Sequence, residues 1–371
     1  MDPPNVSTVH VRRIDRSPYW DAPIADGMEG HATPEGVEVA GDARQRFHDA
    51  RGYGAAGENG TVQFTPVEAA HLLYRGDLSA VDGQDFAGFV STIEDADFAT
   101  RFATFADLRA RGYYLDPAHR DGVPLTTDLP AFAVYERGAG RSPDAVAFAV
   151  YPVSEETQLK PGSLPRGVLA IVDGEGEVGY ITVESISLEG ACSNPDQSSS
   201  KSTLAGDSLY LWDAPPSLYR DWFIGRPLEG RDAVDSGPLV VSLLEGAYLS
   251  ELGLIDIPTD HIIARGRALA GDRFVRRLAV YRALREAGVV PKSGYKFGAD
   301  FRVYDDFSSL ETLGHSSYLV RVTRPDISLL PAALSQDVRL AHGVGKRMVF
   351  AITTGSEDRT VTWRSVTRKT P

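Results

Sequence analysis

The sequence is poor in cysteine, lysine and long apolar runs. Cys192 is the one cysteine among 371 residues, which excludes an intramolecular disulfide and any zinc or iron–sulfur centre built from several thiolates. Redox chemistry is therefore not expected. Nowhere do about 20 apolar residues run together, the length a membrane-spanning helix needs, so no membrane is expected. The start, Met1-Asp-Pro-Pro-Asn-Val-Ser-Thr8, lacks a basic segment followed by an apolar one, and with no secretory signal a cytoplasmic location is expected. Only six of the 38 basic residues are lysine. An acidic, arginine-rich chain of this kind fits a protein hydrated in high salt, or a GC-rich genome that exchanges lysine codons for arginine ones.

What is present is enough apolar material for a large core. Hydrophobic residues make up 42% of the chain, and the length favours two domains over one. The net charge of −13 runs against binding a polyanion, which needs local positive potential. That charge is unevenly placed. Residues 205–371 carry 22 Lys and Arg against 20 Asp and Glu, a net +2, whereas residues 1–204 carry 16 against 31, a net −15.

The two halves are related. Thr65-Pro-Val-Glu-Ala-Ala-His-Leu-Leu-Tyr-Arg-Gly76 aligns with Ser242-Leu-Leu-Glu-Gly-Ala-Tyr-Leu-Ser-Glu-Leu-Gly253, each an amphipathic helix closed by glycine. Phe105–Gly112 aligns with Tyr281–Gly288, Phe132-Ala-Val-Tyr135 with Phe301-Arg-Val-Tyr304, Val168–Ile171 with Val349–Ile352, and Val178–Tyr180 with Val361–Trp363. Five collinear blocks at shifts between 169 and 183 indicate a tandem duplication with insertions confined to loops. Each copy reads as a strand and helix, two helices, then strands with one late helix, so the fold class is α+β or mixed α/β. The expected organisation is an irregular extension over 1–36, a degenerate copy over 37–184, a polar linker over 185–204 and a second copy over 205–371.

Residues present in only one copy are where chemistry is expected. His315 faces Asp144 and Lys346 faces Pro165, while the tyrosine is kept as Tyr135 and Tyr304; Arg339 faces Gln158. A phenol, an imidazole and an ammonium suit transfer of an RNA phosphodiester to its own 2′-oxygen. The 2′-hydroxyl must lose a proton, the departing 5′-oxygen must gain one, and charge on the phosphorane needs a fixed cation. Histidine titrates near neutrality and suits the acid. Tyrosine, with a reference pKa of about 10, needs help from a neighbouring cation to act as base, or serves to position the hydroxyl. Taken singly, Tyr304 also reads as a half-buried strand aromatic and His315 as a surface histidine. Lys346 stays a lysine among arginine-rich neighbours, which marks a role a guanidinium does not fill.

Three blocks in the second copy carry a family resemblance: Gly294-Tyr-Lys-Phe-Gly-Ala-Asp-Phe-Arg-Val-Tyr304, Gly314-His-Ser-Ser-Tyr-Leu-Val-Arg-Val322 and Val338-Arg-Leu-Ala-His-Gly-Val-Gly-Lys-Arg-Met-Val-Phe-Ala-Ile352. They resemble the catalytic blocks of archaeal tRNA-splicing endonucleases in the fused two-repeat form. The resemblance implies that each repeat pairs a small amino-terminal α/β part with a carboxy-terminal restriction-endonuclease-like domain. It implies metal-independent cleavage of precursor tRNA at bulge-helix-bulge junctions, leaving a 2′,3′-cyclic phosphate and a 5′-hydroxyl. Tyr304 is then the base, His315 the acid and Lys346 the transition-state cation.

The resemblance also implies that a bulged base is held between Arg339 and Trp363, and that the chain works as a homodimer. In that dimer an acidic loop of the first repeat docks on the partner; the loop here is Asp173-Gly-Glu175-Gly-Glu177, which also reads as a plain hairpin turn. No cofactor or metal is implied. The stretch Gly174-Glu-Gly176-Glu-Val-Gly179 matches the letters of a dinucleotide-binding loop, but a strand follows where a helix must begin, so nucleotide binding is rejected. Two other readings compete: a non-catalytic structural subunit of an RNA-processing complex, against which the retained His315 and Lys346 argue, and a metal-dependent nuclease, for which no acidic pair with a nearby lysine lies close to Tyr304.

Overall fold

The computed structural model of the protein describes residues 27–117, 132–195, 199–230, 237–355 and 360–371, and the chain divides into two compact units, Met1–Glu94 and Asp95–Pro371. The first unit contains β1 (Met28–Thr33), β2 (Gly36–Val39), β3 (Ala55–Ala56), β4 (Val62–Phe64), α1 (Pro66–Arg75), β5 (Leu78–Val81) and α2 (Phe86–Ser91). Its sheet runs in the order β3-β4-β2-β1-β5, with β1 and β5 parallel.

The second unit opens with α3 (Phe98–Ala110), β6 (Leu115–Pro117), β7 (Phe132–Tyr135), β8 (Val146–Ser154), β9 (Gly167–Val172) and β10 (Val178–Ser185). A small sheet follows from β11 (Ser202–Ala205), β12 (Ser208–Leu211), β13 (Arg226–Pro227) and β14 (Leu239–Ser242), with α4 (Ser217–Arg220) between β12 and β13. Helices α5 (Leu243–Glu251), α6 (Thr259–Ala270) and α7 (Asp272–Glu286) come next. The chain ends with β15 (Val290–Ser293), β16 (Phe301–Tyr304), β17 (Tyr318–Thr323), α8 (Pro331–Gly343), β18 (Arg347–Ile352) and β19 (Thr362–Lys369). Among the described residues no helix is long and apolar enough to cross a membrane.

The duplication shows in local detail. In α1 the Thr65 side chain accepts from the Glu68 N–H while the Glu68 carboxylate takes the Thr65 N–H at 2.8 Å; in α5 Ser242 and Glu245 do the same, at 3.0 Å. Reciprocal capping of this kind satisfies donors that a helix start leaves unpaired. Both glutamates are buried and both reach a glycine N–H, Gly54 at 2.7 Å and Gly225 at 3.1 Å. Gly225 has φ +70°, and a Cβ there would lie 3.0 Å from the Val240 carbonyl oxygen, so only glycine fits.

In the second copy the Glu245 carboxylate also meets Lys292 Nζ at 2.7 Å, and that ammonium donates to the Phe223 and Gly225 carbonyls as well. Burial alone would raise the Glu245 carboxyl, but the Lys292 charge and the N–H donors of Ser242 and Gly225 outweigh it and hold the pKa at about 2. Removing one partner from such a buried pair costs on the order of 3–5 kcal/mol.

One ten-stranded sheet spans the second unit in the order β15-β16-β17-β18-β19-β10-β9-β8-β7-β6. The order is mirrored about the antiparallel β19–β10 ladder, from Tyr180↔Lys369 to Ser185↔Arg364, so β6–β10 and β15–β19 are the two copies of one five-stranded unit. Each copy has a single parallel pair, β8–β9 and β17–β18. The strand β18 is buried on both faces, as parallel strands usually are: Met348, Phe350 and Ile352 enter one core, with α8, and Val349 and Ala351 enter the other.

Three expectations need correction. Strand β1 lies inside the segment read as irregular (1–36), and β11 lies partly inside the segment read as linker (185–204). Both strands are short and mostly unburied, so neither carries the apolar alternation that marks a strand. The late helix expected in both copies exists only in the second; the first has one turn, Pro161–Ser163, between β8 and β9, because Pro161 and Pro165 break a helix there. Residues 1–26 of the expected extension and 196–198 of the expected linker lie outside the described residues.

Candidate active site

Tyr304, His315 and Lys346 leave the same end of three adjacent strands. Tyr304 closes β16, which pairs antiparallel with β17 through Val303↔Tyr318, and the ladder continues as Ser317 N–H donates to the Val303 carbonyl at 2.9 Å. Strand β18 runs parallel to β17 with Tyr318↔Arg347 in register, and Arg347 N–H donates to the Ser317 carbonyl at 3.0 Å. Lys346 precedes β18, and its Nζ donates to the Ser316 carbonyl at 2.6 Å. Strands lie about 4.8 Å apart, so the backbones of Tyr304 and Lys346 stand two spacings apart, on either side of the segment that begins with His315.

The immediate surroundings suit reaction rather than packing. Tyr304 is buried with its ring edge-on to Phe223 at 5.7 Å, yet its hydroxyl has no hydrogen-bond partner among the described residues. The same is true of the His315 imidazole, which is exposed. Lys346 is half-buried, 5.7 Å above the Phe297 ring. Burial pushes its pKa below the usual lysine value, and the nearby Arg302 charge lowers it further. At the opposite end of β16 the Asp300 carboxylate accepts from Val322 N–H at 2.9 Å and pairs with Arg273 at 2.8 Å and Arg277 at 3.2 Å. These contacts fix the turn between β15 and β16 to α7 and β17.

The first copy differs at each point. Tyr135 is fully buried and donates to the Asp116 carboxylate at 3.2 Å, and Arg141 holds Asp116 at 2.8 Å. With Asp144 and Pro165 in place of the histidine and lysine, that copy retains a phenol already bound to an acceptor.

Of the residues expected to hold a bulged base, the fold does not bring Arg339 and Trp363 together. Arg339 is exposed on α8, which covers the face of Met348 and Phe350 through Leu334, Val338 and Ala341. Trp363 pairs with Ala351 and packs into the core on the opposite face. Strand alternation puts Arg364, not Trp363, on the α8 side, in register with Phe350. Arg364 donates to Ser185 Oγ at 2.9 Å, and its Nε is buried without a partner; burial and the Arg166 charge lower its pKa. The signal that separates Arg364 from Trp363 is the two-residue alternation set by Val366, the only β19 residue in the α8-side core.

In the acidic loop, Asp173 turns its carboxylate inward to accept the N–H groups of Glu175 and Glu177, both at 2.9 Å. It shapes the hairpin, and only Glu175 and Glu177 present exposed side chains. Among the described residues no three His, Cys, Asp or Glu side chains gather as a metal-holding group.

Comparison with known proteins identifies the family. The sequence model of the tRNA intron endonuclease catalytic C-terminal domain matches residues 274–363, and the model of the N-terminal domain of the same family matches twice, at 28–93 and 200–264. These two matches include β1 and β11 near their starts. A tRNA-splicing endonuclease of Haloferax volcanii is 45% identical over 346 residues, spanning 93% of this chain and 100% of the relative. One from Halobacterium salinarum is 46% identical over 351 residues, again 93% and 100%, and one from Methanosarcina mazei is 32% identical over 333 residues, 82% and 90%. With both domain types matched and relatives of this similarity aligned end to end, the chain belongs to the tRNA intron endonuclease family.

Proposed function

We propose that this tRNA-splicing endonuclease cuts precursor tRNA at bulge-helix-bulge junctions by in-line attack of the 2′-hydroxyl, without a metal, leaving a 2′,3′-cyclic phosphate and a 5′-hydroxyl. The observation that carries the reading is the shared strand end: a phenol and an imidazole with no hydrogen-bond partner among the described residues, and a half-buried ammonium two strand spacings from the phenol's backbone. Tyr304 takes the 2′-proton, the 2′-oxygen attacks phosphorus, and His315 protonates the departing 5′-oxygen. Lys346, fixed by the Ser316 carbonyl, faces the charge that builds on the phosphorane oxygens.

Arg339 and Arg364, on one face of the sheet, contact the RNA; guanidinium groups stack on splayed bases and pair with phosphates without reading sequence. The first repeat acts as a non-catalytic scaffold, since its tyrosine is bound to Asp116. One active repeat per chain accounts for a homodimer, because removing an intron needs two cuts, and the exposed Glu175 and Glu177 offer the docking charge. Incubation with an intron-containing precursor in excess EDTA tests the metal-free mechanism. Both junctions are expected to be cut at the rate seen without chelator; loss of cleavage, restored by magnesium, would overturn the proposal.

A further inference from the structure

We infer that Arg302 is the cation that activates Tyr304, stabilising the phenolate that takes the 2′-proton. The inference rests on the reading of Tyr304 as the base. An ordinary phenol is mostly protonated at neutral pH, and Lys346 is already engaged with the Ser316 carbonyl. The guanidinium of Arg302 instead lies 5.8 Å from the centre of the Tyr304 ring. Its Nε is buried with no hydrogen-bond partner, and among the described residues no carboxylate pairs with it. A guanidinium keeps its charge at every working pH, so a permanent, unneutralised positive charge sits beside the phenol.

The two copies supply the control. Strand registers equate Asp116↔Ala133 in the first with Lys292↔Arg302 in the second. In the first copy these places hold Asp116, which accepts from the Tyr135 hydroxyl and is paired with Arg141, and the uncharged Ala133; in the second both are cationic. Since Arg141 balances Asp116 and Glu245 balances Lys292, the charge that distinguishes the active repeat is Arg302 in the place of Ala133. The other charged groups facing Tyr304 do not explain the same effect. Lys292, on β15, is bound to Glu245 behind Phe223. Asp305, next along the chain, is bound to the Ser317 hydroxyl, and His315 stands exposed at the start of the segment leading into β17.

When phenolate and imidazolium act together, the rate is flat between their two pKa values, and its level falls as they separate. The test is single-turnover cleavage of a precursor RNA against pH, for the unaltered protein, Arg302→Ala, Arg302→Lys and Tyr304→Phe. Ala133 already occupies the matching place in the first copy, and Arg302→Gln serves if Arg302→Ala does not fold. Arg302→Ala is expected to lower the plateau about tenfold and to move the alkaline limb up by about one pH unit, the size of a nearby charge acting through a partly solvated site. Arg302→Lys is expected to restore most of both. A lowered plateau with an unmoved limb, or an unchanged profile, overturns the inference. Tyr304→Phe cleaving at the unaltered rate removes the base assignment itself, a different failure.

Discussion

His315→Ala is expected to lower single-turnover cleavage by about 10²- to 10⁴-fold, the usual contribution of a general acid, while affinity for the precursor stays the same. The imidazole is exposed, with no partner within the protein among the described residues, so removing it strands no buried group and opens no cavity. Its proton is needed only when the 5′-oxygen departs, which places the loss in the rate of the chemical step. Replacing the bridging 5′-oxygen by sulfur checks this: a thiolate leaves without protonation, so the variant should cut that substrate nearly as fast as the unaltered protein does. A variant that binds the precursor weakly, or that is not rescued by the sulfur substrate, would assign His315 to RNA contact instead.

Lys346→Met is expected to cost about 10²- to 10³-fold in the same assay, the effect of losing one fixed donor to a developing oxyanion. Methionine keeps an unbranched stem of similar length and removes the charge, its donors and the ammonium's place over the Phe297 ring. One of the three ammonium hydrogens is taken by the Ser316 carbonyl at 2.6 Å, which leaves two for a substrate oxygen. Lys346→Arg should not restore the rate. A planar guanidinium is longer and differently shaped, and cannot occupy the same point while keeping that carbonyl contact. Full activity in Lys346→Arg would show that only net charge at this end matters.

What could be read from the letters depended on whether local chemistry or strand pairing carried it. The glutamates aligned between the copies, Glu68 and Glu245, are the paired helix-capping residues of α1 and α5, because a capping box is a local device with a local signature. Strands β1 and β11 carry no such signature: their side chains are mostly unburied, and they are held by backbone ladders that leave no trace in composition. Likewise the β10–β19 ladder that joins the copies into one sheet depends on pairing between residues 180–185 and 364–369, which no local pattern announces.

At the site, comparing the copies picked out His315 and Lys346 because they replace residues of unrelated chemistry. The same comparison contained Arg302 against Ala133, inside the aligned block Phe-Ala-Val-Tyr and Phe-Arg-Val-Tyr. It was hidden by the chain's abundance of arginine, and it acquires meaning only once the ring contact with Tyr304 is seen. Trp363 came with the family resemblance, and the pleat puts it on the face of β19 opposite α8, the α8 face being that of Arg364 and Val366.

The claim on which the rest depends is that the nucleophile is the RNA's own 2′-oxygen. It is tested most directly with a precursor carrying a single 2′-deoxy nucleotide on the 5′ side of one scissile bond. That junction is expected to resist cleavage completely while the other, unmodified junction is cut normally, showing that binding is intact. Cutting at the deoxy junction, with a 3′-phosphate or 3′-hydroxyl end in place of a cyclic phosphate, would mean that water attacks, and the roles given to Tyr304 and Arg302 would fall.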